Sequence, residues 1–317
     1  MMIRARTANL VVLVVIVTLG VSCGRDQTPP IAGPNPDLNP PGILTIGSVS
    51  LKPAEEHEVF QPLADYLAAR LESVGVGRGR VVVADSLRTM VNELEAARVD
   101  VYIDSPFPVG FVVQHSDAKV LLQRFKWGAE EYRSVLFARA DGEIEKLSDL
   151  RGRMIAFGEP FSTSGYLLPK AALLSAGLSL MNFADPAASV PADEIGYVFS
   201  NDAENTMVWV LKSKVMAGAV NEDYFEALAG TRIGELAVLY RSKAVPRNIV
   251  CVRGDLDVDV MRAVVGVLLG MDEDAAGKSV LHSFEQTSRF EPFPEGGERA
   301  LDGVTELLPF VVEDLGR

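Results

Sequence analysis

The chain has 317 residues, 48% of them hydrophobic and 23% charged, with a formal net charge of −13. That is enough apolar material for about two cored domains, and neither a disordered nor a fibrous class fits. The acidity argues against a nucleic-acid partner, because phosphate backbones require clustered Lys and Arg. A small anion answers to its local site instead of the total charge.

Arg4 and Arg6 precede an apolar run from Leu10 to Leu19, and Gly20-Val21-Ser22 then leads into Cys23. Charge, a short apolar helix and small residues are the layout of a secretory leader. The run falls short of the ~20 apolar residues of a transmembrane span. The site resembles a lipobox. That resemblance implies that residues 1–22 are removed and that Cys23 is acylated. Gly20 stands where the usual large aliphatic residue lies, with Leu19 one place earlier. An uncleaved N-terminal anchor is the alternative. Both put the body outside the cytoplasmic membrane, and acyl chains would hold it on that membrane's outer face or in the periplasm or outer membrane. Residues 23–42 carry Pro29, Pro30, Pro34, Pro36, Pro40 and Pro41 and read as an extended tether.

From Ile43 the pattern alternates strand and helix. Leu44 to Gly47 reads as a strand, and Phe60, Leu63, Leu67 and Leu71 fall at helical spacing. Val81 to Val83 is a second strand, Ser86 to Ala97 an amphipathic helix and Val99 to Ile103 a third strand. A parallel sheet with crossover helices follows from that order. Tyr132–Arg139, Met154–Phe157, Glu194–Phe199 and Met216–Val220 form a second strand set, with helices opening at Ser162 and Ala203. Ile249–Arg253 is a further strand, and the remainder reads helical. The predicted class is α/β in two hinged lobes: residues 43–139 in lobe 1, 140–245 in lobe 2 and 246–317 back in lobe 1. The crossings are expected near Val135–Arg139 and Ile249–Arg253. Such a fold can close on a ligand by hinge rotation.

The sharpest local feature is Glu159-Pro160-Phe161-Ser162-Thr163-Ser164-Gly165-Tyr166. It follows a strand and opens a helix. First-turn N–H groups lack intrahelical partners, the helix dipole is positive there, and three hydroxyls add donors. Together they form an oxyanion cradle that needs no Lys or Arg. Gly165 leaves room for close approach. Simple N-capping by one hydroxyl is the competing reading. Asp104 and Ser105 end the third strand, where open α/β sheets place ligands. Asp104 could accept a proton from a monoprotonated anion; a cap or turn role is the alternative. Glu55, Glu56 and Glu58 read as a solvated first helical turn, and Trp127 as core or cleft rim. Cys251, in an apolar run, reads as a buried thiol. His57, His115 and His282 are scattered, so neither a metal site nor a serine–histidine pair is expected, nor any cofactor.

Further stretches carry a family resemblance. They are Phe60-Gln61-Pro62-Leu63-Ala64-Asp65-Tyr66-Leu67, Val99-Asp100, Leu147-Ser148-Asp149-Leu150-Arg151-Gly152-Arg153, Ala156-Phe157-Gly158-Glu159-Pro160, Ser162 to Pro169, Ala217-Gly218-Ala219-Val220, Pro246 and Met271 to Asp274. In this order they resemble the phosphonate-, phosphite- and phosphate-binding proteins of ABC transporters, the PhnD-like group, from about Ile43 to the end. The resemblance implies a type II periplasmic binding-protein clamshell with two crossover hinge strands. It also implies that Ser162, Thr163 and Ser164 hold the oxyanion, that Tyr132 reaches it, and that Asp223 is an acidic ligand residue. Three positions depart from the family: Ser86 replaces a common tyrosine, Ala203 a common histidine, and Arg247 follows Pro246 where an acidic residue usually meets a substrate amine. A cationic amine is thereby disfavoured, and phosphate, phosphite or a simple alkylphosphonate favoured.

The expected function is therefore a lipid-anchored, monomeric receptor that passes a phosphorus oxyanion to an ABC permease, without catalysis. A sensor module signalling to a kinase is the alternative, and a phosphoester hydrolase a weaker one, since no nucleophile–base pair is evident.

Overall fold

The computed structural model describes residues 42–297, 299–312 and 314. The leader, Cys23 and the tether up to residue 41 lie outside the described residues. The chain runs β1 (Ile43–Val49), α1 (Pro53–Ala68), β2 (Arg78–Ala84), α2 (Leu87–Glu95), β3 (Val101–Asp104), α3 (Pro106–His115) and β4 (Lys119–Arg124). It continues through β5 (Glu131–Tyr132), β6 (Ser134–Arg139), β7 (Met154–Phe157) and a π-helical turn (Thr163–Leu167) prolonged by α4 (Leu168–Ser175). Then come β8 (Ser179–Asn182), β9 (Glu194–Phe199), α5 (Ala203–Leu211), β10 (Ala217–Asn221), α6 (Glu222–Ala229) and β11 (Leu236–Arg241). The return passes through β12 (Val245–Pro246), β13 (Asn248–Val252), α7 (Val258–Leu269), α8 (Ala275–Ser283), β14 (Phe290–Pro292) and α9 (Asp302–Thr305).

These strands build two six-stranded sheets, ordered β14-β4-β13-β3-β1-β2 and β11-β6-β10-β7-β9-β8. In the first, β1 pairs parallel with β2 and β3, while β13 runs antiparallel to β3 and β4. In the second, β7, β8, β9 and β10 are parallel and β6 is antiparallel to β10 and β11. Each sheet is covered on both faces, so successive residues of one strand enter different cores. Val101 and Ile103 pack with α1, α7 and α8, whereas Tyr102 packs with α2 and α3. Val135 and Phe137 likewise face α5 and α6, and Leu136 and Ala138 face the opposite way. In α1, Phe60, Leu63, Ala64 and Leu67 recur on one face and are buried, and the Phe60 ring meets Phe284 edge-on at 4.8 Å. Each such fully buried large side chain stabilises the fold by about 1.5–3 kcal/mol. Cys251 is buried and free.

The crossings expected at Val135–Arg139 and Ile249–Arg253 are corrected. Both strands are interior to a sheet, β6 in the second and β13 in the first. The chain crosses just before each of them. There β5 and β12 pair antiparallel, Tyr132 opposite Val245 and Glu131 opposite Pro246. Lobe 2 therefore starts at β6, ahead of the boundary expected at residue 139. An apolar run announces a buried strand but not the sheet it joins. The crossings themselves are two residues long on each side, too short to show a strand period. The C-terminal part also differs from an all-helical reading, since β14 adds a strand against β4.

Candidate functional site

Gly158 and Glu159 follow β7, and the chain turns there. Ser162 N–H donates to the Glu159 carbonyl at 3.0 Å, and Gly158 N–H to the Gly165 carbonyl at 3.0 Å. Ser162 caps the turn that follows, its Oγ accepting from Gly165 N–H at 3.0 Å. That hydroxyl keeps its own proton to donate. A Cβ on Gly165 would lie 2.9 Å from Ser162 Oγ and 3.4 Å from Gly158 Cα. Glycine is therefore needed for the closeness of cap and strand, and Gly165 also lines the interlobe cavity. π-helical turns of this kind recur at functional sites.

Between the lobes lies a cavity of ≈ 320 Å³. Lobe 1 contributes Ser50, Lys52, Glu55 and Glu56; lobe 2 contributes Glu159, Ser162, Ser164, Asp202 and Tyr224 among others. Ser164 is 6% exposed. Its carbonyl accepts from Ser134 Oγ at 2.6 Å, and its hydroxyl has no hydrogen-bond partner among the described residues. Thus two members of the predicted hydroxyl run line the cavity.

Thr163 does something else. Its Oγ1 accepts from Phe107 N–H at 2.9 Å and donates to Ser105 Oγ at 3.0 Å. Ser105 is the N-cap residue of α3 but makes no side-chain cap of its own. Thr163, from the other lobe, supplies that cap and joins the lobes. The partly buried Tyr132 phenol lies beside this pair. Burial pushes that phenol up to about 12. Asp104 accepts from Ser105 N–H at 2.6 Å and from Tyr102 O–H at 2.8 Å. Burial raises its carboxyl to about 7 against those two bonds. Asp104, Ser105 and Thr163 therefore form one hydrogen-bonded network beside the cavity, with Tyr132 next to it.

Arg247 and Asp223 form a second, at the hinge. The Arg247 guanidinium lies 4.7 Å from the Trp127 ring centre and 4.8 Å from that of Tyr132. Its Nη1 donates to Asp223 Oδ2 at 2.6 Å. Arg247 is 3% exposed, and its N–H donates to the Glu130 carbonyl. Asp223 is therefore engaged by a protein cation, and Arg247 sends no free positive charge into the cavity. The repulsion of an amine expected from Arg247 loses its basis. Trp127 holds φ 56° at this hinge and meets Tyr224 edge-on at 4.8 Å. Ser86 lies elsewhere: it caps α2 by accepting from Thr89 N–H at 3.2 Å and lines a separate cavity with Phe161 and Phe199.

Sequence reasoning gave no role to Lys52, Glu56, Glu159, Asp202 or Tyr224. Glu56 is not a solvated first-turn residue, since Ser48 Oγ donates to it at 2.5 Å and burial raises its carboxyl. Lys52 reaches Asp202 across the cleft at 3.5 Å. Glu159 alone had a visible cue, its place directly before the hydroxyl run.

The family described as "ABC transporter, phosphonate, periplasmic substrate-binding protein" matches residues 49–295. A curated relative, the phosphate-import protein PhnD of Mycolicibacterium smegmatis, is 30% identical over 143 residues, covering 44% of this chain and 43% of that protein. The aligned part thus spans under half the length of this relative. Among solved structures, XAC2383 from Xanthomonas citri bound to chloride superposes with a TM-score of 0.81 at 28% identity, covering 86% of this chain and 99% of that one. PhnD1 from Prochlorococcus marinus in complex with methylphosphonate gives 0.62 at 18% identity, covering 89% and 98%, a likeness of fold. With the two-sheet clamshell and its paired crossings, these matches establish that the chain belongs to the family of periplasmic substrate-binding proteins of phosphonate ABC transporters.

Proposed function

We propose that the protein is a receptor for a small phosphorus oxyanion, which it delivers as a monomer to an ABC permease. Its anchor on this reading is acylated Cys23, exposed when residues 1–22 are cleaved, with residues 23–42 as the tether. The observation that carries the reading is the Ser162–Gly165 turn at the wall of an interlobe cavity. The first-turn N–H groups of Thr163 and Ser164 have no intrahelical acceptor. The Ser164 hydroxyl lines the same cavity, and Ser162 has a proton to donate beside it. Such a cluster holds an oxyanion through hydrogen bonds and the helix dipole. Thr163 and Ser105 draw the lobes together behind it, and Arg247 with Asp223 braces the hinge.

A thermal-shift screen against phosphate, phosphite, methylphosphonate and sulfate tests the reading. A ligand at 100 times its Kd stabilises by about 2.7 kcal/mol. At ~2–4 °C per kcal/mol for a chain of this size, the melting point rises about 5–10 °C. A shift from sulfate alone, or from none of the four, would refute it. For the anchor, Cys23→Ser should release the protein from the membrane fraction; an unchanged membrane fraction refutes acylation.

A further inference from the structure

The cavity wall is richer in carboxylates than an anion site would suggest. Glu55, Glu56, Glu159, Asp202 and Glu204 line it together with Ser162 and Ser164, and Lys52 is the lone basic residue among the lining side chains. Most of these acids are accounted for. Asp202 caps α5, accepting from Asn205 N–H at 2.6 Å, and faces Lys52. Glu56 accepts from Ser48. Glu55 and Glu204 are exposed. Glu159 differs. It is half-buried, its carbonyl is tied to Ser162 N–H, and its carboxyl has no hydrogen-bond donor among the described residues. The charges that face it are Asp104 on β3, Glu56 on α1 and Asp202 at the start of α5, opposed by Lys52. Burial, with Asp104 and Glu56 adding to it, raises the carboxyl to about 7. One turn of chain away, the Ser164 hydroxyl opens onto the same cavity.

A donor-free carboxyl beside a donor-rich turn suits a ligand that offers both an acceptor and a proton at the same end. We propose that Glu159 is a specificity-determining residue that accepts the O–H of a singly protonated tetrahedral anion. The cleft then admits proton-bearing phosphorus oxyanions and rejects fully ionised ones. A carboxylate against an ionised oxygen repels it, while the same carboxylate against an O–H makes a charge-assisted hydrogen bond. The position of Glu159 beside the turn, and not at the far end of the ligand, is what separates an O–H partner from a distant ammonium. This inference rests on the receptor reading above.

The test is calorimetric titration of the protein and of Glu159→Gln with inorganic phosphate, methylphosphonate, sulfate and 2-aminoethylphosphonate, from pH 6 to 9. Between them, one proton must be shared by ligand and Glu159. Methylphosphonate, which loses its last acidic proton within this range, should therefore bind more weakly as pH rises, whereas phosphate keeps one O–H throughout it and should keep its affinity, and sulfate should not bind at pH 8. In Glu159→Gln, sulfate binding at pH 8 should strengthen at least about 10-fold and the fall of methylphosphonate affinity with pH should become shallower. Glu159→Asp, which keeps a carboxylate, should still exclude sulfate at pH 8. If Glu159→Gln does not fold, wild-type sulfate binding at pH 8 and the Glu159→Asp profile decide. Unchanged sulfate exclusion and an unchanged pH profile in Glu159→Gln overturn the inference while the receptor reading stands. So does a preference for 2-aminoethylphosphonate that tightens with rising pH, because an ionised carboxylate facing an ammonium has that signature. Failure of every phosphorus anion to bind the wild type at any pH overturns both.

Discussion

Removing the Thr163 hydroxyl isolates what the interlobe bond contributes. In Thr163→Ala, Phe107 N–H loses its acceptor and Ser105 Oγ loses its donor. Thr163 is 1% exposed and Phe107 0%, so water does not reach that N–H while the lobes are joined. A buried backbone donor without a partner costs about 1–3 kcal/mol. When the lobes part, the same N–H can meet water and the penalty disappears. The full penalty therefore falls on the joined arrangement and shifts the open–closed balance by about 5- to 150-fold. Methylphosphonate affinity should weaken by up to that factor, measured by calorimetry, and small-angle scattering should report a larger radius of gyration without ligand. Thr163→Ser restores the hydroxyl and should restore both readings. Unchanged affinity and scattering in Thr163→Ala would refute the role assigned to the bond.

Three further outcomes follow from the geometry. Arg247→Ala removes a cation held between two rings and a charge-assisted bond to Asp223. Thermal unfolding should show a loss of about 2–4 kcal/mol, and Arg247→Lys should recover only part of it; equal stability of the alanine variant contradicts the hinge account. Glu285 pairs with Arg124 and Lys126 at 3.0 and 2.5 Å. Against the cost of its own burial, those two cations hold its carboxyl down at about 2. A depressed folded value means that the stabilisation is present above the ordinary carboxylate range and is lost as pH falls from about 4.5 toward about 2. Glu285→Gln should cost about 3–5 kcal/mol at neutral pH, since Arg124 is left buried without its carboxylate, and should flatten that acid limb; a wild-type pH profile contradicts the pairing. Gly165→Ala drives a methyl to within 2.9 Å of Ser162 Oγ. Overpacking of that kind costs about 1–3 kcal/mol, and oxyanion binding should fail before folding does. Full binding by this variant, checked by calorimetry, contradicts the need for the close cap.

What the sequence reveals divides along the range of the interactions. The Ser162–Gly165 turn was legible because every part of it is local: a strand, a turn, a run of hydroxyls and a helix. The core faces of α1 and of the buried strands were legible from their periods. The partnership of Arg247 with Asp223 joins residues on separate elements, so from sequence each was taken as ligand-facing. Thr163 and Ser105 were expected to meet the ligand, whereas they bond to each other and cap α3, a contact that depends on how the lobes meet. Glu56 resembles any exposed acid in a first helical turn until β1 brings Ser48 beside it. The two crossings were expected a few residues too late in the chain, because Glu131, Tyr132, Val245 and Pro246 make a ladder too short for a periodic signal. Ser86 was suspect only as a departure from relatives, and it is a helix cap.

The central claim is that the Ser162–Gly165 turn holds a phosphorus oxyanion. The most direct measurement is a calorimetric titration of methylphosphonate into the protein and into Ser164→Ala, at neutral pH. Loss of a hydrogen bond to a charged group removes about 1.5–3 kcal/mol. The account predicts one site per chain in the wild type and an affinity reduced about 10- to 150-fold in the variant. Equal affinity in the two proteins would contradict it.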